Sequence, residues 1–225
     1  MRHRWLEPSF LGALFAGATA LWAFIGISEE VGEGETGKID TALLLALHPG
    51  GTTSDLTQPR WLWELARDIT GLGSAWVLGL IVTATCAYFL MTGRQRAAFF
   101  VLTATSVSWG TNLLLKQHFN RPRPTLIAHD LYVTSSSFPS GHAMISATVY
   151  LTLGALLSEM TAGRGQKLYI LCVATLLSTL VGVSRVYLGV HWPSDVLAGW
   201  AAGSAWALGA WSIAQMVHLE RAPRA

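Results

Sequence analysis

Six uncharged, mainly apolar runs constrain the fold of this chain more than any other feature. They cover residues 9–27, 71–91, 97–115, 143–158, 168–184 and 196–217. A helix needs about 20 apolar residues to cross the hydrocarbon core of a bilayer, with a range of about 17 to 25. In lipid, only helices and closed barrels satisfy the backbone, and the alternating pattern of barrel strands is missing from the sequence. We therefore predict an all-α bundle of six transmembrane helices, in which the fourth run is the shortest.

Composition excludes several other classes of protein. Charged residues make up 12% of the 225 residues, about half the usual quarter, which excludes a disordered chain and disfavours a soluble helical domain. The net charge is only +2 and no basic stripe is present, so nucleic-acid binding is not expected.

The two cysteines, Cys86 and Cys172, fall inside apolar runs and are predicted to be buried thiols. With no internal repeat or linker, residues 1–225 are predicted to form one membrane domain, the first run being an uncleaved helix.

The connection formed by residues 28–70 is the longest in the sequence. It begins with four glutamates and then has two short apolar stretches, 39–47 and 61–69, in which apolar side chains recur every four residues. This spacing predicts short amphipathic helices lying on the membrane surface. A cap packed over the bundle fits the same pattern equally well.

Orientation is predicted from the lysines and arginines in the connections. If the N-terminus is cytoplasmic, eight cations and three acids lie inside, a net charge of 8 − 3 = +5. Seven cations and ten acids then lie outside, a net charge of 7 − 10 = −3. Eight cations against seven is a small difference between the two sides. The difference becomes larger if three of the outer cations belong to a binding site and are left out of the count. We expect both termini to be cytoplasmic.

Three polar patches stand out from the apolar background, at residues 116–124, 139–142 and 184–195. The first follows predicted helix three, the second opens helix four, and the third joins helices five and six. Alternate helix ends lie on the same face of a bundle, so all three patches should meet on the outer side. Shifting one patch by a single helix would separate it from the others by about 30 Å.

The residue types in these patches predict an anion site. Lys116, Arg123 and Arg185 supply three positive charges, and arginine forks match phosphate oxygens. Ser140 and Gly141 stand at a helix start, where unpaired N–H groups and the positive end of the helix dipole favour an anion. Such an excess of positive charge would repel a metal ion, so neither a metal nor another cofactor is expected.

Two histidines in the patches predict different chemical roles. His191 and Asp195 are four residues apart, which puts them on one face of a helical turn. A carboxylate on one ring nitrogen leaves the other nitrogen free to act as a nucleophile. His142, beside the anion, could donate a proton to a leaving oxygen and later activate water. These roles predict a two-step phosphoryl transfer through a phosphohistidine.

The three patches together resemble the signature of the type 2 phosphatidic acid phosphatase superfamily. That signature is Lys, six residues and Arg-Pro, then Pro-Ser-Gly-His, then Ser-Arg, five residues, His, three residues and Asp. Every specified position is matched here. The resemblance implies a metal-independent phosphatase with His191 as nucleophile, Asp195 as its orienting partner and His142 as acid and base. It implies that the phosphate is bound by Lys116, Arg123, Ser140, Gly141 and Arg185. Arg121 lies outside the signature and is left unassigned.

By resemblance to small bacterial members, the substrate is expected to be a membrane lipid phosphate or diphosphate. Undecaprenyl diphosphate, phosphatidylglycerophosphate and phosphatidate are the candidates. We expect an integral protein of the bacterial inner membrane, with its site facing the periplasm or exterior and with no obligatory protein partner. Two alternatives remain, a phosphatase for a soluble phosphate ester and a catalytically silent lipid-binding protein on the same scaffold. A channel or carrier is disfavoured because no charge lies in the middle of any run.

Overall fold

The computed structural model describes residues 7–48, 59–126 and 135–216, and within these ranges the only regular elements are eight α-helices. Some sequence-based predictions lie outside the described residues. They concern both chain termini and seven charged residues of the orientation count (Arg2, Arg4, Asp55, Asp130, Glu220, Arg221 and Arg224).

The helices follow one another along the chain with short connections, except before α3 and α6. They are α1 (Pro8–Glu33), α2 (Gly37–Ala46), α3 (Arg60–Gly71), α4 (Ala75–Met91), α5 (Gln95–Phe119), α6 (Gly141–Glu159), α7 (Arg164–Tyr187) and α8 (Pro193–Met216).

Five of these helices, α1, α5, α6, α7 and α8, are each long and apolar enough to cross a membrane. The run at residues 71–91 is shorter as a helix than predicted, because α4 begins only at Ala75. It reaches a spanning length only together with α3, from which it is bent by 41°. The described residues therefore contain five candidate spans, or six if the bent pair is one span.

Helix α6 is the centre of the bundle. It packs against α8 and α7 most extensively and also against α5, while α1 covers the other side of α8. Most of its side chains are buried, including Met144, Ile145 and Val149. The peripheral helices expose large apolar side chains, such as Phe15, Trp22 and Trp76, as expected of surfaces that face lipid.

The two cysteines show that a residue inside an apolar run of the sequence is not always buried inside the protein. Cys86 is half-buried beside the α5 backbone, but Cys172 is exposed on α7. The prediction of a buried thiol is therefore wrong for Cys172, because an apolar run in a membrane protein can point its side chains at lipid rather than at the core.

The close crossing between α6 and α8 depends on two glycines. A Cβ atom on Gly199 would lie 2.8 Å from the carbonyl oxygen of Ser140, and one on Gly203 would collide with the carbonyl of Met144. Small residues four apart are a common means of bringing membrane helices into close contact. This spacing lets the beginning of α8 lie against the beginning of α6.

The helices of the connection at residues 28–70 pack on the ends of the bundle. Helix α2 lies against α8 and buries Asp40 and Leu44, while α3 lies against α7 and buries Ala66 and Thr70. Both helices also leave apolar side chains exposed, notably Ile39 and Trp61. Their buried faces bring polar groups of this connection to the end of α7 and the beginning of α8.

Candidate active site

His191 and Asp195 form the centre of the candidate site, at the beginning of α8. Pro193 starts this helix, where its missing N–H costs nothing. The Nδ1 atom of His191 lies 3.3 Å from Oδ2 of Asp195, and both side chains are almost completely buried. The backbone N–H of Trp192 donates to the same Oδ2 at 2.9 Å. The spacing of four residues therefore places the imidazole and the carboxylate side by side.

The tautomer of His191 follows from its second neighbour. Nη1 of Arg123 lies 3.1 Å from Nε2 of His191. A guanidinium can only donate, so Nε2 must accept and the ring proton must be on Nδ1, facing Asp195. The ring thus presents a lone pair at Nε2, the atom that faces the cationic side of the site.

The surroundings of His191 favour the neutral ring. Burial, followed by the positive charges of Arg185, Arg123 and Lys116, lowers the pKa of His191 well below its usual 6.5, and a backbone hydrogen bond with Ser137 opposes this only weakly. Desolvation and like charge both act against the imidazolium. A neutral imidazole is the nucleophilic form of histidine.

Three cations line the site, each from a different segment. Lys116, at the end of α5, donates from Nζ to the carbonyl of Ser136 at 2.6 Å. Arg123 donates to the carbonyls of Ser135 and Val190 at 2.9 and 2.7 Å, and burial lowers its pKa.

Arg185, near the end of α7, is 5% exposed. It donates from Nη1 to the hydroxyl of Thr70 at 3.0 Å, and within the described ranges its Nε has no hydrogen-bond partner. Among the described residues, none of the three cations takes part in a salt bridge. Buried cations without a paired anion leave electrostatic attraction available for a ligand.

The beginning of α6 supplies three of the selected residues, Ser140, Gly141 and His142. Ser140 is the N-cap, and its hydroxyl accepts from the N–H of Ala143. Gly141 lies against α5, where an added Cβ would be 3.0 Å from Oδ1 of Asn112 and 3.7 Å from Cε of Lys116. His142 interacts electrostatically with Arg185, His191, Arg123 and Lys116.

The structure therefore brings together all eight residues selected from the sequence. They come from α5 (Lys116), the following connection (Arg123), the start of α6 (Ser140, Gly141, His142), the end of α7 (Arg185), the α7–α8 turn (His191) and the start of α8 (Asp195). The arrangement can hold an anion against the Nε2 lone pair of His191 with a second histidine nearby.

Arg121, which the sequence left unassigned, contacts Asp195 through Oδ1, whereas His191 faces Oδ2 of the same carboxylate. Its guanidinium donates to Oδ1 of Asp195 at 2.6 Å and to Oδ2 of Asp40 at 2.7 Å. Both carboxylates are buried. Unlike the three lining cations, Arg121 is neutralised by carboxylates, so it is not available in the same way to an outside anion.

Sequence reasoning also missed two residues on the α3–α4 segment. Thr70 accepts a hydrogen bond from Arg185. Gly73 makes room for Val181, whose Cγ1 would collide with an added Cβ, and for His142, whose Cδ2 would lie 3.2 Å from it. No local pattern marks either residue, because their importance arises from contacts with helices about 70 or more positions away. The Gly199 and Gly203 pair did carry a local signal, two glycines four apart in an apolar run.

The described residues contain no group of three or more histidine, cysteine, aspartate or glutamate side chains arranged to hold a metal ion. The donors around His191 are instead cationic or backbone groups. This donor set suits an anion such as a phosphate.

Long apolar helices around a buried cationic site with an activated histidine are features of an integral membrane phosphatase, and comparison with known proteins supports this class. The chain belongs to the PAP2 superfamily, whose sequence profile matches residues 76–218. Its relatives carry the names of phosphatases, so the protein is an enzyme of the phosphoric ester hydrolase class. The chain is similar in sequence and fold to lipid phosphatases, which confirms the family resemblance inferred from the three polar patches.

Two relatives and one solved structure illustrate the similarity. Phosphatidylglycerophosphatase B of Bacillus subtilis (strain 168) is 36% identical over 154 residues, which cover 66% of this chain and 72% of that protein. An undecaprenyl-diphosphatase of Sulfolobus acidocaldarius is 40% identical over 86 residues, covering 38% of this chain and 37% of that protein. The crystal structure of a transmembrane PAP2 type phosphatidylglycerolphosphate phosphatase from Bacillus subtilis matches 93% of this chain and all of that chain, with a TM-score of 0.79 and 25% identity.

Proposed function

We propose that the protein hydrolyses a membrane lipid phosphate or diphosphate without a metal ion, through a phosphohistidine intermediate. The observation that carries this proposal is the neutral Nε2 of His191 facing three cations that no described carboxylate pairs. A phosphate group would supply the missing negative charge and place phosphorus next to the nucleophile. Undecaprenyl diphosphate, phosphatidylglycerophosphate and phosphatidate are the proposed substrates.

In the first chemical step, Nε2 of His191 attacks phosphorus and the bond to the leaving oxygen breaks. His142 donates a proton to that oxygen, so the lipid leaves as an alcohol or a monophosphate. Arg123 now donates to Nε2 itself, so its guanidinium must move from the ring nitrogen to a phosphoryl oxygen before attack. Asp195 stabilises the positive charge that develops on the imidazole.

In the second step, His142 accepts a proton from water, and the resulting hydroxide attacks the phosphohistidine. The N–P bond breaks, releasing inorganic phosphate and restoring neutral His191. Lys116, Arg123 and Arg185 hold the charged equatorial oxygens in both steps, together with the first amides of α6 at Gly141 and His142.

The proposed topology has six spans, with α3 and α4 crossing as one bent span. Both termini are cytoplasmic, and the site faces the periplasm or exterior of a bacterial inner membrane. Four cations at the proposed inner ends of the helices support this orientation. Arg94 lies between α4 and α5, Arg96 is in the first turn of α5, and Arg164 and Lys167 are in the first turn of α7. On the opposite side, Lys116, Arg123 and Arg185 belong to the site and do not act as topological signals. A site at headgroup depth suits a lipid substrate.

Phosphate release by the purified protein in detergent, with excess chelator present, tests the proposal. The substrate panel holds the three lipids and a soluble sugar phosphate. We expect release from at least one lipid, and its loss in His191→Ala. His118→Ala is the matched control, because His118 is exposed on the outer half of α5 and lies outside the site.

Other outcomes would overturn parts of the proposal. Release from the sugar phosphate alone would make the enzyme a soluble-ester phosphatase. No release from any substrate, with no binding of vanadate, would indicate a silent scaffold. A rate abolished by chelator and restored by zinc or magnesium would exclude the metal-free mechanism.

A further inference from the structure

We propose that Asp40 and Arg121 are positioning residues for the reaction, acting through Asp195 rather than on the phosphate. This inference rests on the proposed function. It extends the set of residues that support catalysis to α2, a helix of the connection at residues 28–70. The evidence is a chain of hydrogen bonds, buried at both carboxylates and partly buried at Arg121, that runs from α2 to the carboxylate that holds the nucleophile.

The first link is the way in which Arg121 divides its donors. Nη1 donates to Oδ1 of Asp195 at 2.6 Å, and Nη2 donates to Oδ2 of Asp40 at 2.7 Å. Nη2 also donates to the hydroxyl of Thr36 at 3.0 Å. One planar group thus joins a carboxylate of α2 to a carboxylate of α8, a geometry that lysine, with a single nitrogen, does not reproduce.

The second link is the choice of oxygen on Asp195. Arg121 takes Oδ1, while Oδ2 faces Nδ1 of His191 and the N–H of Trp192. Rotation of the carboxylate would break these bonds together. The hydrogen bond from Arg121 to Oδ1 therefore fixes the orientation of the carboxylate, and with it the position of Oδ2 relative to the imidazole.

The third link connects Asp40 directly to the beginning of α8. Its Oδ1 accepts from the backbone N–H of Ser194 at 2.9 Å, and its Oδ2 accepts from the Ser194 hydroxyl at 2.6 Å. A carboxylate in this place caps the helix and meets the positive end of its dipole. Because Ser194 directly precedes Asp195, the cap holds the backbone that carries the catalytic carboxylate.

Charge explains why the arrangement needs Asp40. Among the residues that the structure describes, the three lining cations form no salt bridge, and Arg121 is a fourth cation beside them. Without Asp40, Asp195 alone would have to balance the charge of Arg121. Asp40 is 2% exposed, and a buried carboxylate is stable only when it is paired and hydrogen-bonded. Its buried pairing with Arg121 keeps that guanidinium behind Asp195 and away from the phosphate pocket. Arg121 also packs over the Trp192 ring, 5.7 Å from its centroid.

The test is a double-mutant cycle on the purified full-length protein, using the lipid that the wild type hydrolyses best. Asp40→Asn keeps the shape of the side chain but removes its charge. We expect kcat to fall about tenfold to a hundredfold, the range that misplacement of catalytic groups produces, with KM within twofold. In the Asp195→Asn background, the same substitution should change kcat less than twofold, because residues that act as one unit are not additive.

Matched variants separate positioning from general structure. Asp68→Asn makes the same change at an exposed site on α3 and should leave kcat unaltered. Arg121→Lys keeps the charge without the fork and should lower kcat as Asp40→Asn does. If Asp40→Asn is not recovered as a folded protein, Thr36→Val carries the test, with an expected twofold to fivefold loss of kcat for one neutral hydrogen bond.

Two results would overturn the inference while the proposed function stands. One is a kcat within twofold of wild type in folded Asp40→Asn. The other is an equal fractional loss in the wild-type and Asp195→Asn backgrounds, which would indicate a purely structural role. Failure of the proposed function itself appears differently, as a wild-type protein that releases no phosphate from any lipid.

Discussion

The backbone N–H of Ser140 donates to the backbone carbonyl of Asp195 at 3.0 Å. This bond joins the beginning of α6 to the beginning of α8, and therefore joins the segment that carries His142 to the one that carries His191. The two histidines are consequently held by a shared backbone link rather than by side-chain packing alone. The close crossing at Gly199 and Gly203 makes this link possible.

Gly203→Ala is expected to weaken the α6–α8 crossing. The added methyl group meets the Met144 carbonyl and the Ala147 side chain, and overpacking of this kind typically costs about 1–3 kcal/mol. Thermal unfolding in detergent should show a lower melting temperature, and the hydrolysis rate should fall because the Ser140–Asp195 bond lengthens.

Gly209→Ala on the same helix is the control, because a Cβ there meets nothing within 4 Å. This variant should be as stable as wild type or slightly more so, since alanine favours helix over glycine by up to about 1 kcal/mol. Equal melting temperatures for the two variants would show that the crossing tolerates a side chain.

Asp195→Asn should reduce turnover about a hundredfold or more while the protein remains folded. The amide cannot stabilise a developing imidazolium as a carboxylate does, and it can present its NH₂ group to Nδ1 and so favour the wrong tautomer. The measurement is steady-state kinetics together with elution as a monodisperse species in detergent. Turnover within tenfold of wild type would mean that Asp195 does not set the state of His191.

His142→Ala should produce a loss that depends on the leaving group. A lipid alcohol needs a proton as it departs, whereas a nitrophenolate leaves without one. We expect a large rate loss with a lipid phosphate and a much smaller loss in phosphohistidine formation with p-nitrophenyl phosphate, measured as the burst of nitrophenol. Equal losses for both substrates would remove the acid role from His142.

The pH profile of kcat/KM should reflect the lowered pKa of His191. The nucleophile must be deprotonated, so a pKa held well below 6.5 by burial and neighbouring cations extends activity to lower pH. Arg123→Met removes one cation, which should raise this pKa and move the acid limb to higher pH.

The same lipid must be used for wild type and variant, since a phosphate monoester itself titrates near pH 6 and this contribution then cancels. Arg60→Met is the matched control, because Arg60 is exposed and paired with Glu64 on α3. An acid limb unchanged in Arg123→Met, or equally displaced in Arg60→Met, would contradict the expected coupling.

Vanadate should inhibit competitively with the lipid substrate. Its five-coordinate form resembles the arrangement of oxygens around phosphorus during transfer, and the three cations should bind it as they would phosphate. Inhibition should weaken strongly in Arg185→Gln, which removes the buried charge. Lack of inhibition by millimolar vanadate would count against an anion site at His191.

The candidate site was largely predictable from the sequence because its residues lie at helix ends. Six apolar runs and the order of the three polar patches were enough to place Lys116, His142 and His191 on one side of the bundle. The spacing within the last patch then predicted the pairing of His191 with Asp195. These inferences need only helix counting and short-range geometry.

The supporting residues were not predictable in this way. Asp40 and Arg121 are 81 positions apart, and their pairing depends on how α2 docks on α8. For Asp40 and Arg121, tertiary packing decides what local pattern leaves open. The break between α3 and α4 was missed for a different reason, since a local signal is present: Gly71 and Gly73 precede Ser74, the N-cap of α4, whose side chain accepts from the N–H of Val77. The absence of charge over residues 71–91 predicts one span, and that prediction overlooks this helix start.

The buried Arg185 has a consequence for the end of the reaction cycle. Its Nε lacks a partner among the described residues. The unpaired positive charge of the guanidinium attracts any tetrahedral anion. Inorganic phosphate keeps the three charged oxygens of the transferred group and gains a fourth from water. The attraction that binds the substrate therefore also binds this product, and we expect it to slow the release of phosphate.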